Sequence, residues 1–284
     1  MTSVPVGRLL RKVGTYLGAR AQYTAAKRVV ERALATDKAR FGVDHPESAT
    51  DLAHLANLLR VLGDHARALR YAQRALAIHE RNLGSKHELV AFDLRNLGHI
   101  LDEMSARERA KGNAEKTKAY SLRARCCFER ALSIDTTHYG PGHPIVADDL
   151  NNLGMALEAL GDLKSSYARV KQALSIDKFH YGSSHPKVAI RLSNLAMVLM
   201  RLNRLRRARG CLEQALAIDN ARYGPNHPAV GIRHNNLGSV LKRLAAAAEA
   251  REHYEKAYRI FRDSLGPKHP DTLTARRNLK TLLT

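Results

Sequence analysis

The sequence predicts an all-α protein: a right-handed superhelical α-solenoid of antiparallel helix pairs, six pairs followed by a C-terminal helix. Three observations carry that expectation. A His-Pro pair preceded by an aromatic-Gly or Leu-Gly pair returns along the chain, as FGVDHP ending at Pro46, YGPGHP at Pro144, YGSSHP at Pro186, YGPNHP at Pro228 and LGPKHP at Pro270. The period is 42 residues, with a degenerate LGSKHE setting His87 in register, and only the 56-residue step from His87 to His143 departs from it, by 14. The composition is 44% apolar but only 5% aromatic, without Trp, which suits helices packed through Ala and Leu.

Each unit follows from its own residues. The first, about 1–42, keeps Val13-Gly14 and Ala33-Leu34, with 19 residues from Gly14 to Ala33 as from Gly154 to Ala173. In the second, 43–84, Pro46 suits the first turn of a helix, where a missing N–H costs nothing, and Leu62-Gly63-Asp64 ends it. Ala75-Leu76 then marks the packing face of the second helix of the pair. The third, 85–140, carries Asn96-Leu97-Gly98 and the 14-residue insertion near 105–118, SARERAKGNAEKTK. Fourteen residues are close to four helical turns, so seven added to each arm lengthen both helices in phase, with Gly112-Asn113 as the tip. A surface extension and a dedicated partner contact both stay open for that arm.

The fourth unit, 141–182, repeats Asn152-Leu153-Gly154, Leu160-Gly161-Asp162 and Ala173-Leu174. In the fifth, 183–224, Asn194-Leu195-Ala196 and Ala215-Leu216 recur, and Asn203, which tolerates the left-handed conformation, replaces the turn Gly. In the sixth, 225–266, Ala245 stands at that turn between Asn236-Leu237-Gly238 and Ala257-Tyr258, and the LAAAAEA stretch is expected to run on as a distorted helix. A terminal helix is expected over 271–283. Its Leu282 and Leu283 lack the polar outer face of a cap, so a homo-oligomer or a longer chain would cover it.

Composition narrows the function classes. Lys and Arg number 47 against 27 Asp and Glu, a formal charge of +20 that attracts acidic peptides, nucleic acid or anionic membranes without choosing among them. Three cysteines without metal-ligand spacing indicate a reducing compartment, and no apolar run reaches the roughly 18 residues of a membrane span, so a cytoplasmic location is expected. The acid-free residues 1–30 also resemble an organelle transit peptide. The six ladder histidines, one per repeat, lie too far apart to share a metal, and no phosphate-loop or nucleophile-elbow motif is present. No catalytic residue, metal ligand or cofactor is expected.

The repeat resembles the 42-residue tetratricopeptide repeat of kinesin light chains, nephrocystin-3-like proteins and the sensor regions of bacterial signalling NTPases. That resemblance implies a concave groove lined by the first helices. By matching positions it assigns to the groove Asn57, Arg60, Arg95, His99, Asn151, Met155, Asn194, Arg201, Asn235, Lys242, Arg243 and Arg277. The groove would be acidic or neutral in its middle, at Asp102, Glu103, Asp148 and Glu158, and basic toward the C-terminus. Asn151, Asn194 and Asn235 would either clamp a peptide backbone, as matching asparagines do in kinesin-light-chain-like grooves, or brace neighbouring helices.

The function expected is a non-enzymatic scaffold or adaptor for a protein or peptide with acidic groups. A nucleic-acid-binding solenoid, drawing on Arg201, Arg204, Arg206, Arg207 and Arg209, and a sensor domain of a signalling NTPase are the alternatives.

Overall fold

The structure, a computed structural model, describes residues 6–282, so residues 1–5 of the transit-like segment and Leu283 of the expected terminal helix lie outside it. Thirteen helices and no strand are found among the described residues, the pattern of an all-α helical repeat solenoid. They are α1 (Val6–Ala19), α2 (Tyr23–Phe41), α3 (Pro46–Val61), α4 (His65–Leu83), α5 (Glu88–Ala110), α6 (Ala114–Tyr139), α7 (Pro144–Leu160), α8 (Leu163–Tyr181), α9 (Pro186–Arg201), α10 (Leu205–Tyr223), α11 (Pro228–Arg243), α12 (Ala247–Leu265) and α13 (Pro270–Lys280). Two compact units divide the chain, Met1–Asp149 and Leu150–Thr284.

The first unit pairs α1 with α2, α3 with α4 and α5 with α6, around a core that includes Val30, Leu34, Leu52, Leu55 and Ile78. Its third pair is the long one. α5 has 23 residues and α6 has 26, against 16 and 19 for α3 and α4, so each arm carries seven more. Gly112 (φ 77°) makes the tip, and Asn113 caps α6 by accepting a hydrogen bond from the Lys116 amide. The second unit pairs α9 with α10 and α11 with α12, and packs α13 on α12. Its core includes Val170, Leu192, Val198, Leu199, Leu212, Leu237 and Val240.

The His-Pro phrase has one local explanation at every boundary. A glycine with φ of 79–96° ends the second helix of each pair. The histidine Nδ1 then accepts a hydrogen bond from the amide two residues on, at 3.2 Å for His45, His87, His143, His185, His227 and His269 alike. That bond satisfies a backbone donor that the next helix cannot. The aromatic ring four residues before the histidine stacks on the imidazole, at 4.5–4.8 Å for Phe41, Tyr139, Tyr181 and Tyr223. The ladder histidines are helix caps.

One expectation is corrected. The LAAAAEA stretch does not run on as a helix: α11 ends at Arg243, Ala245 takes φ 59° and α12 starts at Ala247. The Ala246 amide closes the turn on the Leu241 carbonyl at 3.0 Å, as Arg204 does on Leu199 at 2.8 Å after Asn203 (φ 57°). A left-handed alanine costs about 1–2 kcal/mol, less than is gained by folding the buried Ala250, Tyr254 and Ala257 face of α12 back onto α11.

Candidate functional site

Between successive helix pairs the structure buries a row of charges. The last turns of α2, α4, α6, α8 and α10 present Asp37, His79, Asp135, Asp177 and Asp219, all buried. Facing them from the next first helix stand Asp51, Asp93, Asp149, Arg191 and Arg233. In the second unit these are direct pairs: the Nε of Arg191 meets Asp177 at 2.8 Å, and that of Arg233 meets Asp219 at 2.8 Å while its Nη1 donates to Ser193 at 2.7 Å. In the first unit His79 holds Asp93 at 2.6 Å. Where two carboxylates face each other an arginine bridges them: Arg11 reaches Asp51 at 2.6 Å and Asp37 at 3.1 Å, and Arg95 is bound to Asp135 and lies 3.4 Å from Asp149. Burial, helped by the neighbouring acid, pushes Asp51 up to about 7 and Asp149 up to about 8.

This row decides the place of several residues assigned to the groove. Arg95 is committed to the two buried aspartates. Asn194 donates to the buried Asn151 at 2.8 Å, and Asn278 donates to Asn235 at 2.9 Å, so in this structure these amides brace α7 to α9 and α11 to α13. His99 is packed edge-on to Phe128 at 5.3 Å, and burial holds its imidazole down to about 4. Asn57 steadies Arg60, which is bound to Glu103; Glu103 also meets His65 at 2.8 Å. Asn57, Arg60, Arg95 and His99 all belong to the first unit.

Other assigned residues gather in the second unit. Arg201 and Arg243 border one cavity of about 260 Å³ between α9 and α11. Met197 (43% exposed), Met200 and Leu212 give it apolar walls, while Ser193, Asn236 and Ser239 offer hydrogen-bonding groups. Glu158 holds Arg201 at 2.6 Å, and Arg243 donates to the Met200 carbonyl at 2.8 Å. Met155 packs against the adjoining core. Lys242 turns instead to Thr281, at 2.9 Å, and Arg277 lies exposed on α13 beside Leu273, Arg276 and Lys280. Charge, apolar walls and a hydrogen-bonding edge thus meet where α9 and α11 run side by side.

The sequence held a sign of the buried row that the ladder of histidines overshadowed. ALATD, ALSID, ALSID and ALAID end at Asp37, Asp135, Asp177 and Asp219, so an acid recurs four residues after the packing alanine, on the inward face of a helix.

Burial also sets a pH response. His54, His99 and His234 are each held down to about 4, chiefly by burial. Their folded values lie below the unfolded value near 6.5, so the stability tied to their neutral forms is complete above about pH 6.5 and is lost as pH falls toward 4; Asp51 and Asp149, raised, act in the opposite sense as pH rises through 7–8. At pH 5.5 the three imidazoles should keep neutral-form chemical shifts in a proton-resolved NMR titration. A protonated shift for any of them at that pH would contradict the burial described.

Comparison with known proteins agrees with this architecture. The family model described as tetratricopeptide repeat matches residues 50–119, 187–263 and 232–284, more than half of the chain. No curated protein sequence matches it. Among solved structures, BtubC (BKLC) from P. vanneervenii is similar with a TM-score of 0.64 and 23% identity, over 88% of this chain and 93% of that one. A protein of Podosopora anserina assigned as a kinesin light chain, with nearly identical TPR-like repeats, gives 0.59 and 20% over 78% and 98%. The Cut9-Hcn1 hetero-tetramer of the APC/C gives 0.66 and 16%, over all of this chain and 44% of that one.

Proposed function

This chain belongs to the tetratricopeptide-repeat family, and from that premise we propose that it is a non-enzymatic scaffold that holds a peptide or protein segment carrying acidic groups. The observation that carries the reading is the α9–α11 cavity, in which Arg201 and Arg243 flank a floor of Met197 and Met200. A carboxylate meets two fork-shaped guanidinium groups there, and an apolar side chain beside it meets thioethers that adapt to its shape. The net charge of +20 speeds the encounter with an acidic segment. The proposal places the scaffold in the cytoplasm, where its three cysteines stay reduced. Among the described residues no helix is long and apolar enough to cross a membrane.

Titrating Asp- and Glu-containing peptides against the wild type and Arg201→Glu/Arg243→Glu tests the reading. The charge-reversed protein should bind about tenfold more weakly or worse, with the loss growing at low salt. Equal binding by both proteins would remove the acidic readout. A nucleic-acid reading draws on Arg204, Arg206 and Arg207, exposed at the start of α10. Its mark would be a steep linear fall of log affinity with log salt, erased by Arg206→Ser/Arg207→Ser and untouched by the cavity variant.

A further inference from the structure

A second cavity in the C-terminal unit lies away from the α9–α11 site. It measures about 760 Å³ and is bordered by α10, the turn before α11, α11 itself and α12. Two histidines outside the capping ladder meet in its wall. His234 of α11 is 9% exposed, and His253 of α12 is half-buried. Their Nδ1 atoms stand 2.9 Å apart, with ring centroids at 5.0 Å and planes inclined by 47°.

We propose that His234 and His253 bind a divalent transition-metal cation of square-planar or octahedral preference, Ni²⁺ or Cu²⁺, as a two-imidazole chelate completed by water. Imidazole nitrogens suit this class: affinity for nitrogen donors rises along the first-row divalent ions to Ni²⁺ and Cu²⁺ and falls again at Zn²⁺, and two protein donors leave the remaining positions of a square-planar or octahedral ion to water. The 2.9 Å between the two Nδ1 atoms is the length of their hydrogen bond, and it shows that both donors reach one place in the cavity wall. The two rings come from facing helices of one hairpin, so the fold itself sets their separation, and binding an ion requires both rings to turn from their mutual hydrogen bond toward a common point.

In the free protein one ring donates its Nδ1 proton to the other. On binding, that ring carries its proton on Nε2 instead, both Nδ1 lone pairs face the ion, and no proton has to be released. Burial favours the neutral form of both rings, the form that ligates. Among the described residues no group of three or more His, Cys, Asp and Glu side chains converges on a metal site, so the protein supplies these two donors and the cavity admits water to the rest. The Asn220 Oδ1, buried in the wall of the same cavity, accepts no hydrogen bond from the protein and offers an acceptor to a metal-bound water.

The test adds Cu²⁺ or Ni²⁺ to the purified chain, with calorimetry for affinity and electron paramagnetic resonance of the Cu²⁺ form for the donor set. The wild type should bind one ion most tightly, with hyperfine structure from two imidazole nitrogens, and Zn²⁺ should bind at least tenfold more weakly. His253→Gln, and separately His234→Gln, should weaken Cu²⁺ binding at least tenfold and remove the two-nitrogen signature while circular dichroism stays helical. His253→Gln changes the more exposed ring and tests the site even if His234→Gln fails to fold. A wild-type spectrum without two coupled nitrogens, or an affinity unchanged in His253→Gln, would show that the pair is an internal hydrogen bond alone.

Discussion

Arg233→Ala should lower folding stability by about 3–5 kcal/mol, because it leaves Asp219 buried without its cation and Ser193 without its donor. Urea denaturation followed by circular dichroism gives the number. Asp219→Leu/Arg233→Met should recover most of that loss, since a buried ion pair replaced by apolar groups of similar volume is often neutral. The chain contains a natural version of this exchange. Forty-two residues after Asp219 and Arg233 stand Phe261 and Ala275, both buried, and Gly231 leaves room for the phenyl ring where the preceding repeat has Ala189. If the double variant were as unstable as the single one, the charge pair would be contributing net stability rather than relieving a buried acid.

Gly98→Val should cost about 2–3 kcal/mol, by overpacking where α5 crosses α6. A Cβ at Gly98 would lie 2.5 Å from the Phe128 ring, and the ring, 2% exposed, has nowhere to go. The same register pairs Gly14 with Val30, Gly154 with Val170 and Gly238 with Tyr254, each glycine Cβ position falling 2.4–2.7 Å from the partner side chain. In the second repeat the pair is Ala56 and Ala72. Gly98→Ala/Phe128→Ala recreates that pairing, and a double-mutant cycle of thermal melts should show a favourable coupling of about 1–3 kcal/mol between the two sites. Additive losses would mean that the contact is not what keeps position 98 small.

These results mark where sequence reading stopped. The period, the helix pairs and the Gly and Pro punctuation between them depend on neighbours in the chain: a glycine that can take positive φ and a proline at the first helical turn. Such features are legible because local backbone conformation needs no knowledge of the rest of the fold, whereas the imidazole cap and the ring stacked on it emerge only in the structure. The lengthened third pair is legible for the same reason, since seven residues are close to two whole turns and leave each helix face where it was.

The groove assignments had a different basis. Arg95, Asn151 and Asn235 sit at positions that the repeat register aims inward, but a register gives direction and not occupancy. Whether an arginine meets a ligand or an aspartate depends on residues 40 and 54 positions away, at Asp135 and Asp149. The sequence by itself determined the all-α repeat, its period and the cationic balance, because these follow from local backbone chemistry and composition. Only the tertiary structure decided which polar side chains are spent bracing one repeat against the next and which remain exposed, because burial pairs each charge with whatever packing places within about 3 Å.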